Sequence, residues 1–328
     1  MNPVELQYAR WPYPEPIDDL AEWARKNGDA MDPRFFHLVM WPDQPYRSLD
    51  ILVAGCGSYQ AARIALSNPS CRVVGIDLSE PSLAHNRVHQ VKLGLKNLEL
   101  RHLDIVGAGG IGEFDLIITT GVLHHLPDPD AGLSVLASLL KPDGVIGMMV
   151  YGQHARTGVY MLQDVFRRVG LEQVEGDIAL VRKTVDHLQE THPGRIFYAE
   201  HYDMNFDGGV VDAFLNVQDR AYTVPQLFDF IERAGLKFQA WQDNGDFCFD
   251  RHFRPDHPLR SRVLALPLID RCAVLEALTQ KMDRHSVYCC LPTKSVPAPI
   301  DDLLSSVPIL RPGVAAEAGK NEAGRQTM

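Results

Sequence analysis

The sequence has no excess of positive charge: 32 Lys and Arg stand against 42 Asp and Glu, a formal net charge of −10. Following a phosphate backbone needs clustered cations that displace counterions, so a nucleic-acid partner is not expected. No apolar run approaches the roughly 18–20 residues that cross a bilayer. The stretch from Gly144 to Gly152 is about as apolar as the chain becomes. Glu5, Pro12, Pro14 and Glu15 interrupt the first residues, so no signal-peptide core is read there and the cytoplasm is the expected setting. The six cysteines form no C-x-x-C pair and lie mostly among apolar neighbours, as reduced, structural side chains do. Internal repeats are absent too. With 45% hydrophobic and 23% charged residues, the 328-residue chain is ordinary for folded protein and long enough to bury a sizeable core.

What is present is an alternation. Residues 1–48 are rich in Pro, Trp and acids and read as a lead-in with a short helix near 17–26. From Leu49, strand-like apolar runs at 50–54, 72–76, 98–103, 115–119 and 145–150 alternate with helical patterns at 60–67, 81–93 and 131–140. Short, nearly continuous apolar strands separated by helices imply a parallel sheet covered on both faces: an α/β, doubly wound fold that binds ligands at the carboxyl ends of its strands. Residues 49–150 are the expected core. Residues 151–222 break the alternation and read as a helical insertion or cap, with helices at 159–169 and 180–188 and an irregular stretch at 198–214. In 223–291, Thr223 as N-cap, Pro225 in the first turn and Gly235 past the end delimit a helix. Strands at 236–241 and 287–291, flanking helices around 261–281, then complete the sheet. Residues 292–328 show no periodic apolar face and read as a disordered tail.

The chemistry concentrates at strand ends. Gly55-Cys56-Gly57 closes the first strand, where glycines let the backbone turn tightly and approach a ligand. A dinucleotide fingerprint would place a third glycine at Gln60, beside Tyr59. Twenty residues past Gly57 stands Asp77, followed by Leu78 and Ser79, at the end of the second strand. A carboxylate there can accept both ribose hydroxyls, or alternatively cap the next helix, a role Ser79 is better placed to fill. Asp104-Ile105 ends the third strand, and Thr120-Gly121-Val122-Leu123-His124-His125-Leu126 follows the fourth. Metal-ligand spacing is not recognised: His85 and His89 stand four apart with no third ligand.

Together with Leu140-Lys141-Pro142-Asp143-Gly144, these motifs resemble the class I S-adenosylmethionine-dependent methyltransferases, well over about 49–150 and more loosely over 223–291. The resemblance implies a seven-stranded Rossmann-like sheet, S-adenosyl-L-methionine as cofactor, and a cofactor site at Gly55, Cys56, Gly57, Asp77, Leu78, Asp104, Ile105, Thr120 and Gly121. The glycines would lie under the methionine and ribose, Asp77 would take the ribose hydroxyls, Asp104 the adenine amino group, and Thr120 and Gly121 the methionine end. Two positions depart from the family: the usual acid two before the first glycine is Val53, and the usual small third loop residue is Tyr59. The first leaves the methionine ammonium without an expected carboxylate. The function implied is in-line methyl transfer to a small molecule or a protein side chain. His125 is the candidate base, unless the His-His pair only shapes its loop, and Arg220 and Tyr222 of the insertion are candidate acceptor contacts. The alternatives are a nicotinamide-dependent oxidoreductase, disfavoured by the missing third glycine, and a noncatalytic cofactor-binding scaffold, which Val53 and Tyr59 keep open.

The tail reading is directly testable. Removing residues 296–328 is expected to leave the thermal midpoint of the remaining chain unchanged; a drop of several degrees in a calorimetric scan shows instead that the tail docks on the fold.

Overall fold

Alternate residues of the first strand are buried on opposite sides of one sheet, which explains its unbroken apolar run. Ile51 and Val53 join one apolar layer and Leu52 and Ala54 the other. The computed structural model describes residues 3–27 and 31–296, and two short paired strands at 319–320 and 326–327. Most of the tail expected to be disordered lies outside the described residues, but residues 292–296 are described, and Lys294 there is buried with Nζ 3.2 Å from Asp143 Oδ1. The main sheet contains β1 (Asp50–Ala54), β2 (Arg72–Asp77), β3 (Leu98–His102), β4 (Phe114–Thr120), β5 (Leu140–Gly152), β6 (Ala221–Tyr222), β7 (Lys237–Trp241) and β8 (Arg284–Cys290). Its order is β3-β2-β1-β4-β5-β8-β7, and β6 pairs with the end of β5 as an eighth, two-residue strand. Strands β1 to β5 run parallel, while β8 lies antiparallel between β5 and β7. This is the doubly wound α/β architecture that the alternation implies.

Three helices precede the sheet: α1 (Pro3–Arg10), α2 (Leu20–Lys26) and α3 (Pro33–Met40), where one was expected. Asp32 caps α3 by accepting from the Arg34 N–H, and Pro33 occupies its first turn. Helices α4 (Gln60–Ser67), α5 (Glu80–Leu93) and α6 (Pro129–Ser138) make the crossovers between parallel strands. The start of β5 is earlier than the apolar run suggested. Phe114 pairs with Leu140 but Leu116 with Val145, so the polar residues 141–144 are accommodated as a bulge within a continuing strand.

Residues 151–222 fold around their own apolar cluster, including Val159, Leu162, Phe166, Val181 and Phe214. It is built by α7 (Thr157–Arg168), α8 (Glu175–His187), α9 (Pro193–Glu200) and α10 (Asp207–Phe214). The stretch 198–214 is therefore not irregular. It contains the end of α9, a 3₁₀ turn at Tyr202–Asn205 and α10. Gly208 and Gly209 conceal that helix, because glycine is a poor helix former. Packing overrides the propensity: a Cβ at Gly208 would lie 2.7 Å from the Pro12 carbonyl oxygen, and one at Gly209 would strike the Asp203 carbonyl. After β6 come α11 (Val224–Arg233), α12 (Phe249–His252), α13 (Arg260–Leu264) and α14 (Leu268–Thr279). Thr223 and Gln226 form a reciprocal capping box on α11.

Helices α7 and α9 meet backbone to backbone, since a Cβ on Gly158 would collide with the Gly194 amide. Gly158→Ala is expected to destabilise the fold by roughly 1–3 kcal/mol, the cost of overpacking a tight contact. Urea unfolding measures this, and an unchanged midpoint would mean that the two helices can separate freely.

Candidate active site

The end of β1 is a turn fitted to glycine. Gly55 (φ +71°) and Gly57 (φ +54°) occupy the left-handed region, and a Cβ on Gly55 would run into the Val122 side chain. The amides of Gly55 and Cys56 both donate to the Ile76 carbonyl, at 2.9 and 3.0 Å, which ties the ends of β1 and β2 together. Asp77 completes the tie: Oδ2 accepts from the Gly57 N–H and Oδ1 from the Ser79 N–H, each at 2.8 Å. Burial pushes the Asp77 carboxyl above the usual carboxylate range, and the N–H groups of Ser79, Gly57 and Leu78 oppose that rise. Beyond β3, Asp104 Oδ1 accepts from the Val106 N–H at 3.2 Å, while Oδ2 has no hydrogen-bond partner among the described residues. Past β4, the Gly121 amide (φ +74°) donates to the Met149 carbonyl at 3.1 Å, and Thr120 Oγ1 accepts from Gln60 Nε2 at 3.3 Å.

One cavity of about 350 Å³ collects these groups. Gly55, Gly57, Asp77, Leu78, Asp104, Ile105, Thr120, Gly121 and His125 all line it. Three expected residues do not. The side chain of Cys56 turns into the apolar layer, with Sγ 3.9 Å from Asn86 Nδ2. Tyr222 is locked into the opposite core by β6, its ring stacked on Phe230 at 5.1 Å, and Arg220 is exposed at the surface beside it. Pairing of β6 with β5 thus withdraws the proposed acceptor contacts from the site. Val53 is also buried in the core, not at the cavity. Tyr59 does line it.

Beyond β4 and β5 the wall is aromatic and charged. His125 Nδ1 lies 2.8 Å from the Gln218 carbonyl oxygen. A carbonyl only accepts, so Nδ1 carries a proton, and Nε2 faces Asp212 with Oδ1 3.9 Å away. Asp212 is buried on α10 and accepts from the Tyr8 hydroxyl (2.8 Å), the Tyr151 hydroxyl (2.9 Å) and Asn216 Nδ2 (3.3 Å). Burial pushes the phenols of Tyr8, Tyr13 and Tyr151 well above their ordinary value, so all three are neutral donors. The Arg156 guanidinium lies 3.6 Å over the face of Tyr151 and 3.7 Å from Asp219. Burial also lowers the titration of His124, keeping it neutral. His124, His125 and Asp219 bring possible ligand atoms within 4.8 Å of one another. With Arg156 already beside that carboxylate, the grouping reads as part of an ion-pair network, and no metal is assigned to it.

Tyr8 and Asp203 carry no signal in the sequence, where Trp11, Tyr13 and Trp41 read as pins of the N-terminal segment onto the sheet or as a cover over the cofactor. Tyr13 and Pro14 lie across the glycine turn: Ser58 Oγ donates to the Pro14 carbonyl at 2.9 Å, and the Tyr13 hydroxyl donates to Asp203 Oδ2 at 2.9 Å. The signal for Tyr13 was a run of aromatics and prolines in a segment too short for a core of its own.

Residues 52–146 match the family of methyltransferase domains. An uncharacterized protein of Synechococcus sp. is 30% identical over 247 residues, which are 73% of this chain and 59% of that protein. A ubiquinone biosynthesis O-methyltransferase of Dinoroseobacter shibae is 35% identical over 147 residues, 44% of this chain and 51% of the relative. Among solved structures, PKMT2 from Rickettsia typhi superposes with a TM-score of 0.68 at 17% identity, covering 83% of this chain and 55% of that one. The chain therefore spans little more than half the length of these relatives. The fold and its strand-end site define a Rossmann-like methyltransferase domain. Residues 52–146 thus carry a methyltransferase domain, in agreement with the resemblance to the class I S-adenosylmethionine-dependent methyltransferases.

The Gln218 carbonyl fixes one tautomer of His125. Long-range ¹⁵N–¹H correlation of the neutral ring is expected to show a protonated Nδ1 and a bare Nε2; the reverse pattern would remove the lone pair from the cavity.

Proposed function

We propose that this chain transfers a methyl group from S-adenosylmethionine to a small-molecule or protein acceptor. The observation that carries the reading is the convergence on one cavity of the glycine turn, Asp77, Asp104 and Thr120-Gly121, each following a different strand in the row β3-β2-β1-β4. The residues present fit the cofactor. Asp104 keeps a carboxylate oxygen free to accept from an amino group, Asp77 stands at the turn with lone pairs to spare for ribose hydroxyls, and Gly55 and Gly57 line the cavity without side chains. When bound, the cofactor supplies an electrophilic methyl group on a sulfonium. The protein's task is to align a nucleophile with the S–CH₃ bond at roughly 3–3.5 Å and to exclude water.

His125 performs the one proton transfer this reading requires. An acceptor whose nucleophile carries a proton at neutral pH, such as a hydroxyl, is served by Nε2, and Asp212 lies close enough to balance the resulting imidazolium. Tyr8 and Tyr151 hold Asp212 in place, and α1 and the insertion supply walls of the cavity. A small or side-chain acceptor agrees with the net charge of −10 better than a nucleic acid does. No helix among the described residues is long and apolar enough to cross a membrane. A reducing, cytoplasmic setting fits the six free cysteines.

Calorimetry with S-adenosylhomocysteine tests the cofactor, and methyl incorporation from labelled S-adenosylmethionine into a metabolite and protein extract tests turnover. Asp77→Ala is expected to weaken binding by roughly 1.5–3 kcal/mol, the scale of hydrogen bonds to a charged group. Wild-type protein that binds neither form of the cofactor overturns the proposal. Binding without turnover favours the noncatalytic scaffold.

A further inference from the structure

Five aspartates line the cavity, and their bonding separates them. Both oxygens of Asp77 accept backbone amides. Asp212 is occupied at both oxygens by Tyr8, Tyr151 and Asn216. Asp283 is shared between His201 at 3.1 Å and Arg284 at 3.5 Å. Among the described residues, only Asp104 and Asp203 keep one carboxylate oxygen without a protein partner. Asp104 is accounted for by the cofactor reading. Asp203 is not.

Asp203 is held firmly for a residue between two helices. Its Oδ2 accepts from the Tyr13 hydroxyl at 2.9 Å, and its carbonyl accepts from the Phe206 amide at 3.1 Å. The same carbonyl lies against Gly209, where no Cβ could stand. Tyr13 in turn reaches back to the glycine turn: its carbonyl oxygen lies 3.6 Å from where a Cβ on Gly57 would be. One tyrosine therefore links the turn at the end of β1 to a fixed, half-buried carboxylate whose free Oδ1 is left for a ligand. No Lys, Arg or His among the described residues forms an ion pair with Asp203. The wall nearby includes the ring of Tyr13, on which a cation is favoured, whereas the Phe197 ring is already stacked on His201 at 3.8 Å and lies 5.1 Å from the Arg156 guanidinium.

We propose that Asp203 receives an alkylammonium group of the ligand, with Oδ1 as the acceptor and Tyr13 fixing the carboxylate. This rests on the methyltransferase reading and extends it to a residue of the insertion. Two sources share that chemistry: the amino-acid end of the cofactor, and an amine on the methyl acceptor. The first is the more economical, since Val53 offers no carboxylate at the turn itself.

The test compares S-adenosylhomocysteine with 5′-methylthioadenosine, which keeps the nucleoside and thioether but lacks the amino-acid end. Calorimetry is run on the full chain and on Asp203→Asn, with Asp203→Ser as a second variant and melting temperatures as the folding check. A tenfold or greater loss of S-adenosylhomocysteine affinity, with methylthioadenosine affinity within twofold, assigns the ammonium of the cofactor to Asp203. In a second arm, phenethylamine and 2-phenylethanol are titrated into the protein saturated with S-adenosylhomocysteine. If only this arm responds, with amine binding lost in the variants and alcohol binding kept, the ammonium belongs to the acceptor. Parallel losses for both nucleosides, or unchanged binding in both arms, overturn the proposal. Wild-type protein that binds neither nucleoside overturns the methyltransferase reading instead.

Discussion

The joint between the ends of β1 and β2 is the constraint on which the site depends. Two successive amides donate to the Ile76 carbonyl, and the next amide, that of Gly57, donates to Asp77. This consumes the donors of a turn that would otherwise be buried and unsatisfied, and it fixes where Gly55, Gly57 and Asp77 stand relative to one another. Without that joint the parallel sheet still pairs, but its carboxyl edge has no defined floor. Asp77 is therefore both a structural acceptor and a wall of the cavity, and its burial is the cost of holding the two roles in one side chain.

The core was legible because its signals are local. Continuous apolar runs separated by helical patterns leave few ways to cover both faces of a parallel sheet, and the twenty-residue interval from Gly57 to Asp77 is the length of one helix and one strand. The insertion was less legible. Its helices are disguised by Gly158, Gly194, Gly208 and Gly209, chosen for close backbone approach at the expense of helix propensity. Arg220 and Tyr222 were misplaced for a related reason. Sequence position puts them beside the strand ends, but a two-residue strand turns Tyr222 into the core and leaves Arg220 outside. Their chemistry suited a site; their pairing register did not.

The acceptor side is a composite. Tyr8 comes from α1, His125 from the loop after β4, Tyr151 from the end of β5 and Asp212 from α10, and they meet around a single carboxylate. Tyr151 is held by a central strand of the sheet, and Tyr8 and Asp212 are brought to it by α1 and α10. Such an arrangement resists description from spacing, because the spacings are large and set by helices whose packing is itself not evident.

The Tyr8–Asp212 hydrogen bond joins residues 204 positions apart. On a growing chain, α1 is made before any part of its partner, and at roughly 5–20 residues per second its docking surface follows on the order of ten seconds or more later. The parallel core can close in that interval from contacts much nearer in sequence. The wall that joins Tyr8 to Asp212 therefore cannot form until α10 has been made, and α1 waits without that partner in the meantime.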